Sequence, residues 1–281
     1  KNELLDQQHD GASFELNGKV AFSTDSYVIT PAFFPGGNIG ELAIYGTVND
    51  LAMCGAIPQY LSLAFIIEEG LPMTEFWEIL SSIKEAAQKA NIRIVTGDTK
   101  VVEKGKGDKI FINTSGIGII HPKANIHHKN IEAGDKVIIS GNIATHGIAI
   151  MSVRKGLEFE TTIESDTANL NHTVEKLINR FGHAIKFMRD PTRGGVASVL
   201  NEIAELTQLG FELDQKMIPV DEQVEGACEM LGLDPLYVAN EGLFLAVVKP
   251  DIADEFLSLL RNDENGTNAA IIGEAGTEHP G

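Results

Sequence analysis

The 281-residue chain has only two cysteines, Cys54 and Cys228, far apart and outside any CxxC pair. That argues against a disulfide framework or a thiolate zinc site and fits a reducing cytoplasm. No apolar run approaches the roughly 20 residues that span a bilayer, so no membrane segment is expected. The first residues, K-N-E-L-L-D-Q-Q-H-D, lack the hydrophobic core of a secretory signal. Positive charge is also scarce: 22 Lys and Arg against 40 Asp and Glu leave a formal charge of −18. Such a chain has no general attraction for nucleic acid or for anionic membranes. A phosphate ligand would have to be received locally, by backbone N–H groups, a few cations or a metal. The eight histidines are scattered, and the only cluster, His127–His128, falls on a polar stretch and reads as solvated rather than metal-bound.

What is present is typical of a soluble globular protein, with 43% hydrophobic and 22% charged residues. The length favours two domains over one core. Strands are expected over 19–29, 59–67, 92–102 and 109–120, with helices over 38–55, capped by Asn38, and 74–90, capped by Thr74. The polar stretch H-P-K-A-N-I-H-H-K-N at 121–130 breaks the apolar periodicity and sets a boundary between domains 1–122 and 131–281. The second half opens with the strand D-K-V-I-I-S-G. Helices follow near 145–154, 167–181, 194–208, 221–231 and 251–261, with short strands near 210–214, 242–248 and 269–273. Strands mixed with helices of this length argue for α/β and α+β layers.

Several polar residues interrupt apolar segments. Asp25 lies in the middle of a strand, and Asn49 and Asp50 lie inside a helix that is otherwise small and apolar. I94-V-T-G-D-T-K-V-V102 carries Asp98, Thr99 and Lys100, with Asp98 and Lys100 two apart and so on one side of an extended chain. Asn113 interrupts another strand. A carboxylate withdrawn from water is costly unless paired, hydrogen-bonded or metal-bound. Three such acids, if they converge, ask for a hard cation, and magnesium shares its shell with substrate phosphates. The plain alternative is that each Asp ends a strand or accepts backbone hydrogen bonds, and that Asp98 and Lys100 satisfy each other. Two glycine-rich turns precede helices, F34-P35-G36-G37-N38 and R189-D190-P191-T192-R193-G194-G195. Helix N-termini of this kind favour anions, and Arg193 adds a fork of donors. Glu241, in A-N-E-G, directly precedes an apolar strand.

Taken in order, T-D-S-Y-V-I, F-F-P-G-G-N-I-G, G-T-V-N-D-L-A, F-I-I-E-E-G, V-T-G-D-T-K-V-V, F-I-N-T-S-G-I-G, D-P-T-R-G-G-V and A-N-E-G closely resemble the HypE family of hydrogenase-maturation carbamoyl dehydratases. That family sits in the aminoimidazole ribonucleotide synthetase superfamily with selenophosphate synthetase and thiamine-monophosphate kinase. The resemblance covers nearly the whole chain. It implies an N-terminal α/β domain that forms a homodimer through its sheet, an α+β C-terminal domain, and ATP in the cleft that dimerisation completes. Carried over by position, Asp25, Asp50 and Asp98 would hold magnesium and phosphates. Asn49, Thr99, Asn113, Gly36, Gly37, Arg193, Gly194 and Gly195 would line the nucleotide side. Lys100 and Glu241 would handle protons.

The implied reaction uses ATP to dehydrate a carbamoyl group on a C-terminal cysteine of the protein itself. The carbamoyl group comes from HypF, and the cyanide of the resulting thiocyanate passes to iron on the HypC–HypD complex. A lysine partly withdrawn from water suits such chemistry, because desolvation lowers its pKa into a useful range. The family ends in proline-arginine-isoleucine-cysteine, whereas the sequence read here ends T-E-H-P-G281, and the family's glycine-rich N-terminal segment is also outside it. Neither Cys54 nor Cys228 is placed to replace the tail cysteine, so the chain as written is expected to bind ATP without completing its own modification. Two other readings follow from the same residues: a superfamily enzyme phosphorylating a free small molecule, and an inactive nucleotide-binding scaffold.

Overall fold

A computed structural model describes residues 11–156 and 163–278 of the chain. The terminal stretches that entered the sequence reading, 1–10 and 279–281, lie outside the described residues.

The first half is a four-stranded sheet with two helices on one face. Its strands are β1 (Val20–Tyr27), β4 (Ala56–Glu68), β5 (Arg93–Val102) and β6 (Ile110–Ile120), in the order β1-β6-β4-β5. Strands β1 and β4 run antiparallel to β6, while β4 and β5 are parallel. The parallel pair is joined across α2 (Met73–Lys89), as a crossover connection requires. Before the first helix, β2 (Phe33–Phe34) and β3 (Gly37–Asn38) form a small hairpin.

Helix α1 (Ile39–Met53) fixes the position of the site. Thirteen of its residues are buried, including Asn49, and a helix that is apolar all round must be enclosed on every side. It packs on β1, β4, β6 and α2 of its own half and on α4 (Asn171–Phe181) and β8 (Ile185–Arg189) of the other. Asn38 starts it as expected: Oδ1 accepts the Gly40 N–H at 2.8 Å. At α2 the expectation of a Thr74 cap is corrected. The helix begins one residue earlier, Pro72 holds the cap position and no side chain bonds there. Proline is pre-set for helix entry and lacks an N–H to satisfy.

The second half is a five-stranded antiparallel sheet ordered β8-β10-β7-β11-β9, where β7 is Lys136–Ile139, β9 Gly210–Leu213, β10 Leu245–Val248 and β11 Ala270–Gly276. Alternate residues of β7 and β10 divide between two cores. Ile138, Ala246 and Val248 meet α4 and α7 (Ala253–Arg261), while Val137, Ile139, Leu245 and Val247 meet α5 (Gly195–Thr207). Helices on both faces explain why Leu245–Val248 reads as an unbroken apolar run. Helices α3 (Thr145–Lys155) and α6 (Glu222–Leu231) pack together at the cleft side through Ala144, Ile148, Ala227 and Cys228. Strand β8 was not expected from the sequence. Its short run I-K-F-M-R contains Lys186, which is buried and pairs with Glu132 Oε2 at 2.8 Å.

Candidate active site

Where the halves meet, a cleft of about 1020 Å³ opens between β1 and α1 on one side and α3, β8 and the turns at 190–193 and 239–241 on the other. Asp25 reaches it from β1 and Asp50 from α1; Asp190 and Arg193 come from the turn after β8, and Glu241 from the turn before β10. The β1 alternation explains Asp25. Ser23, Asp25 and Tyr27 face α1, and Ser23 Oγ donates to Asp50 Oδ2 at 2.7 Å. Asp50 sits at the seam because α1 does.

The acids load one another. Withdrawal from water raises the Asp50 carboxyl above its ordinary range, and the charge of Asp25 adds to this. Asp190 is pushed up to about 7, first by desolvation and then by Asp50. Glu241 is raised well above the usual range by desolvation, and by Asp166, Asp190, Asp25 and Asp50 after it. Tyr27 donates or accepts at Thr47 Oγ1 (3.2 Å), and burial together with Asp25 raises its hydroxyl. Arg154, Arg189 and Arg193 line the same cleft, but Arg154 donates to Thr30 O and Arg189 is engaged by Glu202. Arg193 is exposed and makes no ion pair among the described residues. The cleft therefore holds more carboxylates than guanidiniums, and among the described residues Arg193 is the guanidinium left unengaged at its rim. Such an arrangement suits an anion that arrives with its own cation.

Among the described residues no three His, Cys, Asp or Glu side chains close a metal shell unaided. One or two carboxylates with room for phosphate oxygens and water is what magnesium accepts. The donor set of Asp25 and Asp50 fits magnesium in that shared form.

The other sequence candidates fall elsewhere. Asp98 and Lys100 pair at 2.7 Å on β5, with side chains 62% and 69% exposed. The β4–β5 register sets Asp98 beside Ala64 and Lys100 beside Ile66, on the sheet face turned away from α1. In a single chain the three aspartates do not converge, and Lys100 is solvated. Thr99 is exposed on the same strand. Asn113 bonds the Asp25 carbonyl at 2.9 Å and Ser26 Oγ at 3.0 Å, again on that outer face.

Gly36 and Gly37 do not line the cleft. A side chain at Gly36 would meet the Ser165 backbone nitrogen at 2.6 Å, because the hairpin packs there. Asn49 lies under the site, with Nδ2 on Ala168 O at 3.0 Å and Oδ1 accepting from Leu170 N at 2.9 Å. Gly194 and Gly195 both take positive φ, +75° and +63°, and a side chain on Gly195 would strike Leu236 O at 2.4 Å. That pair of left-handed residues turns the chain into α5 and leaves Arg193 at the cleft.

Sequence reasoning missed Asp166, Asp190 and His146. His146 is buried against Ser165 Oγ (2.8 Å) and the edge of Phe34, and burial lowers its imidazole to about 4. Asp190 stood inside the quoted R-D-P-T-R-G-G motif. Its place between Arg189 and Arg193 was the signal available in the sequence, since the carboxylates around it gather only in the fold.

Comparison with known proteins gives the same picture from outside the chain. The family models "AIR synthase related protein, N-terminal domain" and "AIR synthase related protein, C-terminal domain" match residues 8–120 and 132–280. The carbamoyl dehydratase HypE of Bradyrhizobium diazoefficiens is 50% identical over 275 residues, which is 98% of this chain and 80% of that protein. A crystal structure of HypE in complex with ATP superposes with a TM-score of 0.95 at 46% identity, covering 98% of this chain and 82% of the other. A chain of a crystallised HypE–HypF complex gives 0.91 at 49% identity, covering 99% and 90%. The chain belongs to the HypE family of carbamoyl dehydratases, within the AIR synthase related proteins.

Proposed function

We propose that the cleft between the halves receives magnesium-bound ATP and that the chain uses it to dehydrate an S-carbamoyl cysteine to a thiocyanate for the iron of a NiFe hydrogenase. The single observation that carries this reading is the convergence of Asp25, Asp50, Asp190 and Glu241 on one cleft in a HypE-family chain. Asp25 and Asp50 would hold the metal, and Arg193 would meet phosphate oxygens. In the family chemistry the carboxamide oxygen attacks the γ-phosphorus and ADP leaves. Two N–H protons then depart and phosphate is expelled, which leaves S–C≡N. Glu241, raised in pKa and beside the acids, supports a proton-handling role at the amide nitrogen.

Asp98 and Lys100 belong to the same proposal only if a second copy brings them to the cleft. The outer face of the first sheet carries Val20, Phe22 and Ile66 at 48%, 67% and 44% exposure, which supports a homodimer packed through it. Burial there would also withdraw Lys100 from water, the condition that makes an amine a useful base. We take residues 1–122 as the ATP-binding and dimerisation domain and 131–281 as the C-terminal domain. HypF would supply the carbamoyl group, as the crystallised HypE–HypF pair suggests by likeness, and HypC–HypD would take the cyanide, in the cytoplasm. No helix among the described residues is long and apolar enough to cross a membrane.

The test is mass spectrometry of the chain carrying a cysteine-ended tail, incubated with HypF, carbamoyl phosphate and Mg-ATP. A carbamoyl adduct that then loses one water is the expected result. An adduct that persists with ATP present, or an unmodified tail cysteine, overturns the reading. Phosphorylation of a free small molecule would mark a different member of the superfamily.

A further inference from the structure

The segment 164–170 crosses the seam between the halves without regular structure, yet it is fastened at every step. Ser165 N donates to Pro35 O at 2.8 Å, tying it to the β2–β3 hairpin. Ser165 Oγ bonds His146 Nδ1 at 2.8 Å and Thr167 Oγ1 at 2.7 Å. Asn49 of α1 clamps Ala168 O and Leu170 N. Asn265 Nδ2 holds Asn169 O at 3.0 Å. In the middle of this strap, Asp166 turns its carboxylate under the 240–242 turn. The Glu241 N–H donates to Oδ1 at 3.2 Å and to Oδ2 at 3.4 Å, and the Gly242 N–H bonds the same carboxylate.

The fit is backbone against backbone. A side chain on Gly242 would lie 1.4 Å from Asp166 O, so only glycine lets the turn come this close. From the other side, Asn240 Oδ1 accepts the Ala144 N–H at 2.7 Å and Nδ2 donates to Pro191 O at 2.9 Å. Glu241 is thus held between a fixed Asn240 and a fixed Gly242, with its own amide on Asp166. A carboxylate withdrawn from water needs such donors to persist. Desolvation still lifts Asp166 to about 6, a cost that a purely structural strap has no reason to carry, since an asparagine could accept one of the same bonds.

We propose that Asp166 is a positioning residue for Glu241: its carboxylate fixes the 241–242 backbone and sets a negative charge beside the Glu241 side chain. This rests on the reading that Glu241 handles a proton in the cleft. Asp166 acts through Glu241 and touches no reacting atom. The acids facing Glu241 are Asp166 from the strap, Asp190 from the turn after β8, Asp25 from β1 and Asp50 from α1. Tyr27 of β1 lies beside them, and Arg154, Arg189 and Arg193 line the same cleft. Only Asp166 among them bonds the Glu241 backbone.

The test compares Asp166→Asn, Glu241→Gln and the double variant in the tail-bearing full chain, reading ATP affinity, the rate of water loss and its pH profile. The expected result is a water-loss rate lowered about 10- to 100-fold in Asp166→Asn with ATP affinity changed less than about threefold. The acid limb of the profile should shift to lower pH, because a neighbouring negative charge has gone. The double variant should be no slower than Glu241→Gln alone. An unchanged rate and profile in Asp166→Asn, or ATP affinity falling in step with the rate, overturns the inference. If Glu241→Gln itself turns over normally, it is the proton-handling reading of Glu241 that fails. Should Asp166→Asn not fold, amide hydrogen exchange on the wild-type chain decides: the 241 and 242 amides should exchange slowly, and exchange at the rate of an open loop overturns the inference.

Discussion

Ser23 and Asp50 are joined across the seam between strand β1 and helix α1, Oγ to Oδ2 at 2.7 Å, and this bond aims one carboxylate of the cleft. It offsets only part of what that carboxylate costs, since desolvation is the largest influence on Asp50 and acts against its charged form. On the proposed reading, a divalent ion would supply the missing compensation. Replacing Asp50 by Ala should therefore leave the fold intact and weaken Mg-ATP binding about tenfold or more, or ~1.4 kcal/mol. Isothermal titration checks it, and an unchanged affinity would remove Asp50 from the metal site.

Asp190 makes the ligand-free protein sensitive to pH in a definite sense. An unfolded aspartate titrates near about 3.9, whereas the folded chain holds Asp190 near 7 through desolvation and the charge of Asp50. Between those values the folded state binds more protons than the unfolded one, so stability falls as pH rises. His146, lowered to about 4 by burial, works in the opposite sense below its ordinary pKa. His146 contributes alike to wild type and to a variant at position 190, so the comparison isolates Asp190. The window to read is about pH 6.5 to 8, around the folded value of Asp190. Urea titrations of wild type and Asp190→Asn across it should show the variant gaining relative stability with pH. A difference that stays constant from pH 6.5 to 8 would exclude the burden assigned to Asp190.

The parts of this arrangement that were legible in the sequence are those fixed by local chemistry. Asn38 announced a helix start because a cap needs only its own side chain and the next turn. Asp98 and Lys100 were correctly put on one side of a strand, since alternation is a property of the chain alone. Which side that is depends on how β5 pairs with β4, and no residue within V-T-G-D-T-K-V-V states it. The same holds for Asp166 and His146. Nothing in S-D-T-A-N or T-H-G-I marks a residue that only a distant turn and a hairpin enclose. Strand β8 escaped because Lys186 breaks its apolar run, and the partner that makes a buried lysine tolerable, Glu132, lies 54 residues away.

Gly195 offers a test of how the cleft is framed. With φ at +63° and Leu236 O at 2.4 Å from an added methyl group, Gly195→Ala forces both backbone strain and a clash. The cost should be about 1–3 kcal/mol from the left-handed backbone alone, visible as a lowered melting temperature. Because Arg193 hangs on the same turn, nucleotide affinity should fall as well. Full stability in the alanine variant would mean that the turn relaxes freely.

Phe22, 67% exposed on the outer face of the first sheet, should matter only to association. Phe22→Arg places a charge on that face, which would be buried in a homodimer without a partner. The expected product is a folded monomer by light scattering that no longer turns over ATP. A wild-type chain that is already monomeric, or a variant that stays dimeric, would count against packing through this sheet.

The position of Lys100 on that same outer face, away from Asp25 and Asp50, leads to a sharper expectation. If Lys100 serves catalysis at all, it serves the cleft of a second copy, because its own lies across the sheet. Lys100→Ala and Glu241→Gln should each bind Mg-ATP yet stall with the carboxamide intact. When the two inactive variants are mixed and allowed to exchange subunits, half of the dimers are mixed. In each of these one cleft combines an intact Glu241 with an intact Lys100 from the other chain, so roughly a quarter of the sites regain function. Action within one chain predicts no recovery, since each mixed dimer would still pair every Glu241 with a defective Lys100 or the reverse. Water loss followed by mass spectrometry on the mixture separates the two outcomes. Normal turnover in Lys100→Ala alone would remove the lysine from the reaction and leave its pairing with Asp98 as a surface contact.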